Sequence, residues 1–324
     1  MNTRRRLLIA LSAAALPAFG QQRKIPVIGY MSPVVPVNNS DWRLEAFLQG
    51  MRDLGYADGQ NMRVVVRWGE GKLERMPAIA RELVKMKVDV IVATSSPSVL
   101  AARDATKTIP IVMPSSSDPV GDGLVKSLAH PGGNITGLSL MAPELGAKRL
   151  QLLKQVLKKS RDVVVLWNPA YTGMRARFKE AQQAAPTVGM SIRSLEVRDP
   201  REMEAAFEAV TRARPDGLVL LADPLTNSMR ARIVEFAREN RLPAIYEIRE
   251  FVEAGGLMSY GPNISAINRR SAYYVDRILK GANPGDLPIE QPSQIELLVN
   301  TRTARELGIT IPQSILASAD QVIQ

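Results

Sequence analysis

The chain has 324 residues, 45% of them hydrophobic, with a formal charge of +10, one histidine and no cysteine. That much apolar material is enough for two ordinary domains. The missing cysteines exclude disulfides, thiolate metal sites and a lipid-anchored cysteine, and the lone His130 excludes a paired-histidine acid–base site, so no metal or cofactor is expected.

Residues 1–20 carry Arg4, Arg5 and Arg6, then the apolar run Leu7–Leu16, Pro17 and the small-residue site Ala18-Phe19-Gly20. This is the order of a secretory signal peptide, and the apolar run is too short to span a bilayer. Thr3–Leu8 fits a general or a twin-arginine leader, so the export route stays open. Cleavage near Gly20 removes three arginines, lowers the charge from +10 to +7, and leaves a soluble periplasmic protein, expected to be a monomer. Its basic residues are scattered along predicted helical faces and aromatics do not alternate with them, so no nucleic-acid partner is expected.

From residue 24 onward, β-branched runs alternate with helical spacing. Strands are expected at Ile25–Tyr30, Met62–Trp68, Val88–Ala93 and Ile109–Met113. Helices fall between them: one carrying Leu44, Phe47, Leu48, Met51 and Leu54 and ended by Gly55, then Leu73–Met86, Val99–Ala105 and Val120–Leu128. After the loop His130–Asn134 the rhythm restarts, with strands at Val163–Trp167, Ser191–Val197, Gly217–Leu221 and Ala244–Ile248. Two such runs predict an α/β protein of two Rossmann-like lobes with parallel sheets. The tail has a helix at Ile267–Leu279, a strand at Ile295–Val299 and a short helix near Thr303–Leu307, too little for a third domain. It is expected to return and complete the lobes, as 24–140 plus 260–288 and 141–259 plus 289–324, joined by a multi-strand hinge.

Catalytic motifs are absent. No nucleophile elbow, phosphate loop or dinucleotide fingerprint occurs, and Gly69-Glu70-Gly71 reads as a loop. Hydroxyl and amide residues gather instead at the carboxyl ends of predicted strands, where ligands bind open α/β sheets. They are Tyr30-Met31-Ser32, Thr94–Ser98 and Ser115–Asp118 in the first run, and Trp167–Tyr171, Asp223–Asn227 and Tyr246-Glu247 in the second. Each is also an ordinary helix cap, Asp118 and Asp223 above all. Trp167 and Tyr246 equally suit a core, and Glu247 a pairing with Arg249.

Three segments carry a family resemblance: Asp89–Thr94 through Thr108–Val112, Asp118–Val125 followed by Pro131–Gly137, and Phe251–Gly261. Together they resemble the ABC-transporter substrate-binding proteins of the type that includes tryptophan- and phenylalanine-binding members. The resemblance spans about Lys24 to Gln324. It implies a type I periplasmic binding protein, not an enzyme, that closes on a small molecule. That protein would deliver its ligand to an ABC permease in the inner membrane, served by a cytoplasmic ATPase. Carried over by strand order, the resemblance implies Ser32, Ser95, Ser96 and Ser116 for a ligand carboxylate, Asn168 and Asp223 opposite, and Tyr30, Tyr171 and Tyr246 around the side chain. Delivery to a sensor partner, or an exported enzyme on the same fold, are the alternatives.

Overall fold

The computed structural model describes residues 25–34, 36, 41–140, 144–157, 162–171 and 173–324; the expected signal peptide lies outside them. The first sheet contains β1 (Val27–Ser32), β2 (Arg63–Trp68), β3 (Val90–Ala93), β4 (Ile111–Ser116) and β5 (Ile135–Ser139), all parallel, in the order β2-β1-β3-β4-β5. The second contains β6 (Asp162–Trp167), β7 (Ser191–Glu196), β8 (Gly217–Leu220), β9 (Ala244–Tyr246), β10 (Met258–Pro262), β11 (Ile295–Asn300) and β12 (Gln321–Ile323), in the order β12-β11-β10-β9-β8-β6-β7. Its β7-β6-β8-β9-β10 portion repeats the first sheet's order. Each sheet therefore reverses direction beside its first strand, and such a reversal opens a crevice at the strands' carboxyl ends.

Helices α1 (Trp42–Asp53), α2 (Met76–Lys85) and α3 (Ser96–Ala105) cover the first sheet. The second carries α4 (Glu144–Val156), α5 (Met174–Ala184), α6 (Pro200–Ala213), α7 (Pro224–Ser228), α8 (Arg230–Glu239) and α9 (Glu250–Glu253). The next helix, α10 (Ile264–Leu279), belongs to the first lobe although it follows ten strands and nine α-helices of both. It lies against α1 at Gly50, where a Cβ would stand 2.2 Å from the Arg269 carbonyl oxygen, so only glycine allows this approach. Tyr56 donates to Asp276 at 3.0 Å and Arg269 pairs with Asp53 at 2.6 Å, fixing the same contact at its rim.

The chain passes between lobes three times: from Ser139 to α4, from Pro262 to α10, and from Glu290 to β11. The crossings are bonded to the lobes and to each other. Ser139 N–H donates to Glu290 O (2.8 Å), Glu290 N–H to Gly137 O (3.1 Å), and Asn263 N–H to Gln294 O (3.2 Å). Residues 260–262 thus lie in the second sheet and 289–290 bond to the first lobe, so the junctions fall two or three residues beyond the expected ones.

Two expectations need correction. Residues 120–128 form successive turns and not a helix. Asp118 accepts from Gly121 N–H at 2.8 Å and Gly123 holds φ +64°, so the helical spacing of Val120, Leu124, Val125 and Leu128 is not used as a helix. Nor are all strands parallel: β11 runs antiparallel to β10. The chain leaves β10 at its cleft end, visits the first lobe and re-enters at that same end (Pro262 opposite Ile295), which dictates the reversed direction. Strands β5, β10 and β12 have no counterpart among the predicted strands.

Candidate functional site

Within the crevice between the lobes are two adjoining chambers of about 70 Å³ and about 80 Å³. The first is polar. Thr94, Ser95 and Ser115 line it from the ends of β3 and β4, Arg43 from the first turn of α1, and Tyr171, Asp223 and Asn227 from the second lobe. The other sets Leu140, Leu145, Leu221, Ile248, Pro262 and Ile264 beside the charged Asp118, Arg149, Arg177, Glu180 and Glu247. Arg177, Ser117, Leu140, Ala222, Ile248 and Ile264 border both chambers, which makes them one amphipathic cavity.

Asp223 caps α7, accepting from Thr226 N–H and Oγ1 at 2.8 Å each, while Asn168 Nδ2 donates to its other oxygen at 2.7 Å. That last bond spans the ends of β6 and β8, the place where the second sheet reverses. Burial pushes the Asp223 carboxyl above its usual range, against the pull of its hydrogen bonds. Tyr171 is nine-tenths buried; burial and the charge of Asp223 raise its hydroxyl, whereas Ser95, Arg177 and Arg43 act the other way. Ser95 and Arg43 belong to the first lobe, so the tyrosine reaches across the cleft. Gly173 does too, with φ +81° and its missing Cβ position 2.8 Å from Ser117 Cβ.

Behind the chambers, Glu247 is 2% exposed and holds two arginines: Arg149 Nη1 at 2.8 Å and Arg177 Nη2 at 2.5 Å. Its second oxygen accepts from Ala222 N–H at 2.8 Å. The Arg249 partner expected for it pairs with Glu253 and Glu296 instead. Burial draws the Arg149 guanidinium down from its ordinary value and Glu247 partly restores it. Arg149 also feels Glu180, so the two guanidiniums share this wall with more than one carboxylate.

Of the nine sequence-predicted residues, Ser95, Tyr171 and Asp223 line the polar chamber and Asn168 stands behind Asp223. Ser96 and Ser116 are fully buried and bond each other (Oγ–Oγ 3.3 Å), tying α3 to β4. Ser32 is buried at the end of β1 with no partner for its Oγ among the described residues. Tyr30 packs on Phe47 and Trp68, ring centroids 5.8 and 6.0 Å apart, and Tyr246 stacks on Phe251 at 4.8 Å. Neither tyrosine lines a chamber. Sequence reasoning missed Arg43, Arg149 and Arg177. Arg149 had a signal: it sits four residues after Leu145 and three before Leu152, inside the apolar stripe of its helix.

This cavity between two similar lobes, lined by caps and charges at the strand ends, has the form of a solute-binding site. Residues 32–323 match the family profile of the ABC transporter substrate binding protein. The chain belongs to that family. As a family member it is 28% identical over 280 residues to a tyrosine-binding protein of Clostridioides difficile, covering 86% of this chain and 80% of the relative. A structure of an ABC domain in complex with L-Trp from Streptococcus pneumonia is similar at 26% identity, with a TM-score of 0.85 over 93% of this chain and 100% of that one. A ligand-free, open structure of a Clostridium difficile substrate binding protein with adhesive properties has the same 26% identity and the same coverages but a TM-score of 0.68. At equal identity, this family member's lobes are therefore arranged nearer to those of the L-Trp complex than to the open form. The fold is that of type I periplasmic binding proteins, as sequence reasoning expected. Among the described residues no helix is long and apolar enough to cross a membrane.

Proposed function

We propose that this protein captures an L-amino acid with an aromatic or other apolar side chain, outside the cytoplasm, and delivers it to an ABC permease. The observation that carries this reading is the amphipathic cavity. The cavity offers Arg43 and Arg177 to a carboxylate and Asp223 to an ammonium, while Leu140, Leu145, Leu221, Ile248 and Ile264 supply apolar wall for a side chain. Charge-assisted hydrogen bonds of this kind are the strong ones. L-Trp in one relative's structure and tyrosine in another's name are zwitterions with aromatic side chains, which this arrangement suits. Ligand that touches both lobes favours the closed arrangement by its differential affinity for it.

Titration of residues 21–324 with a panel of L-amino acids, followed by calorimetry, tests the reading. Saturable heat is expected with aromatic or large aliphatic members, and silence across the panel overturns it. Asp223→Asn keeps a capping side chain but removes the charge. It is expected to weaken binding about tenfold, the scale of one charged hydrogen bond. An unchanged affinity demotes Asp223 to a helix cap.

The affinity carries a pH signature as well. Burial raises the Asp223 pKa, so the free protein holds this proton more tightly than the unfolded chain does. The group's contribution to stability therefore grows as the pH falls. Bound ammonium favours the carboxylate, so affinity is expected to drop as the pH falls through the raised folded-state pKa of Asp223, with proton release on binding in that range. Calorimetry over a pH series, in two buffers of different ionisation enthalpy, reads that release, and an affinity that stays flat down to acid pH removes the ammonium from Asp223.

A further inference from the structure

Arg43 reaches the polar chamber from the first lobe, and among the described residues its guanidinium donates no hydrogen bond. The side chain is 14% exposed and lies over the Trp42 ring at 4.1 Å. Its closest carboxylate among those residues is Asp41, Nη1 to Oδ1 at 3.8 Å, and that oxygen already accepts the Arg43 backbone N–H at 3.0 Å. Three buried groups that feel the Arg43 charge also keep a polar atom with no partner among the described residues. These atoms are the Tyr30 hydroxyl, Asp41 Oδ2 and Glu250 Oε2. Native interiors hold few such atoms, and each calls for a reason.

Tyr30 and Asp41 belong to the first lobe and move with Arg43. Glu250 does not, because it begins α9 of the second lobe. Residues 248–250 approach the start of α1: Arg43 shares the polar chamber with Ile248, and Trp42 shares a neighbouring groove with Glu250. Burial pushes the Glu250 carboxyl above its usual range. Its own backbone N–H and then Arg43 pull the other way, Arg43 ahead of the adjacent Arg249, while Glu253 adds to the rise. Glu250 stands beyond the 4.0 Å of a salt bridge from Arg43. That is too far to occupy the guanidinium's donors, yet in an interior that water screens poorly it still attracts.

We propose that Glu250 is a positioning residue for solute capture: from the second lobe it draws on Arg43 of the first, holding the lobes together before a ligand arrives and leaving the guanidinium's donors free to receive it. The attraction needs no ligand, whereas its part in capture rests on the cleft being the solute site. Opening the lobes parts the two charges and returns them toward water, so the closed arrangement alone gains. A larger closed fraction in the empty protein raises the apparent affinity in proportion.

The test is pulsed electron paramagnetic resonance on residues 21–324 without ligand. Spin labels go on Val120→Cys in the first lobe and Lys179→Cys in the second, both exposed, in a chain with no cysteine of its own. Glu250→Gln keeps the shape and removes the charge. It is expected to lower the ratio of short to long label distances about fivefold or more, the low end of coupling between sites. Arg43→Gln should give the same shift and the double variant no more than either, each folded by circular dichroism. Glu253→Gln, one turn away and exposed, should change nothing. An unchanged ratio in Glu250→Gln, additive shifts in the double variant, or an empty wild type with no short distances overturns the proposal. L-tryptophan titrated into the same proteins separates the two readings. Weaker binding in Glu250→Gln with an unchanged ligand-free ratio overturns the positioning role and leaves capture standing. No response of the wild type to L-tryptophan or the rest of the amino-acid panel, with the ligand-free shift intact, overturns capture and leaves the attraction between the lobes.

Discussion

Glu247→Ala is expected to destabilise the protein by about 3–5 kcal/mol, the cost of stranding buried charges whose partner has been removed. Glu247 is 2% exposed, and its side chain holds two guanidiniums and one backbone N–H. Without it, Arg149 keeps the Tyr260 carbonyl at 2.7 Å and the field of Glu180, but loses the carboxylate that joined it to Arg177. At roughly 2–4 °C per kcal/mol for a chain of this size, the melting temperature should fall by about 6–20 °C. Glutamine is no remedy. Its amide must turn an N–H₂ toward either the arginines or Ala222 N–H, and every one of those is a donor. The double variant Glu247→Gln with Arg149→Met removes the more deeply buried of the two cations and should recover part of the loss. A Glu247→Ala protein that melts within about 2 °C of the wild type, less than 1 kcal/mol by the same scale, would show the pairing to be dispensable.

Gly173→Ala should cost ten- to hundredfold in ligand affinity while leaving the ligand-free protein folded. The argument has two separable parts. An alanine at φ +81° is strained in every arrangement of the lobes, by about 1–2 kcal/mol, and that lowers stability alone. Its Cβ also stands 2.8 Å from Ser117 Cβ across the cleft, a contact that exists only when the lobes are together. Overpacking of this kind costs roughly 1–3 kcal/mol, and every 1.4 kcal/mol is tenfold in binding. Ser117→Gly in the same chain removes the second cost and keeps the first. Affinity should therefore recover in the double variant although its melting temperature does not. Equal affinity in Gly173→Ala and wild type would mean that ligand is held without this approach of the lobes.

Much of the scaffold was legible because its signals are local. Short β-branched runs gave nearly all strands of both repeats, and Pro97 after Ser95, like Pro224 after Asp223, marked helix starts that the structure keeps. Residues 120–128 misled because apolar spacing says nothing about whether two glycines and an Asx turn break the helix. The antiparallel β11 was hidden for another reason: strand direction depends on where the chain returns from, which no window of sequence contains. The site divides in the same way. Ser95 and Asp223 declared themselves as caps at strand ends. Arg43 and Arg177 did not, because an arginine on a predicted helix reads as solvated until the fold places an opposite lobe beside it. Tyr30 and Tyr246 were expected around the ligand's side chain, yet their rings are taken up by Phe47 and Phe251.

The triple crossing of the chain also sets an order of assembly. Helix α10 lies against α1 through Gly50, with bonds that join positions more than two hundred residues apart, Tyr56 to Asp276 and Asp53 to Arg269. A ribosome or translocon that has delivered the first five strands has delivered a sheet still lacking one of its covering helices. The second sheet likewise lacks β11 and β12 until the last thirty residues emerge. Neither half can be finished before nearly the whole chain is present. Such distant pairings slow folding, since loop closure must precede the contacts that reward it. The polypeptide should accordingly stay pliant, and open to chaperones, until nearly the whole of it has been made.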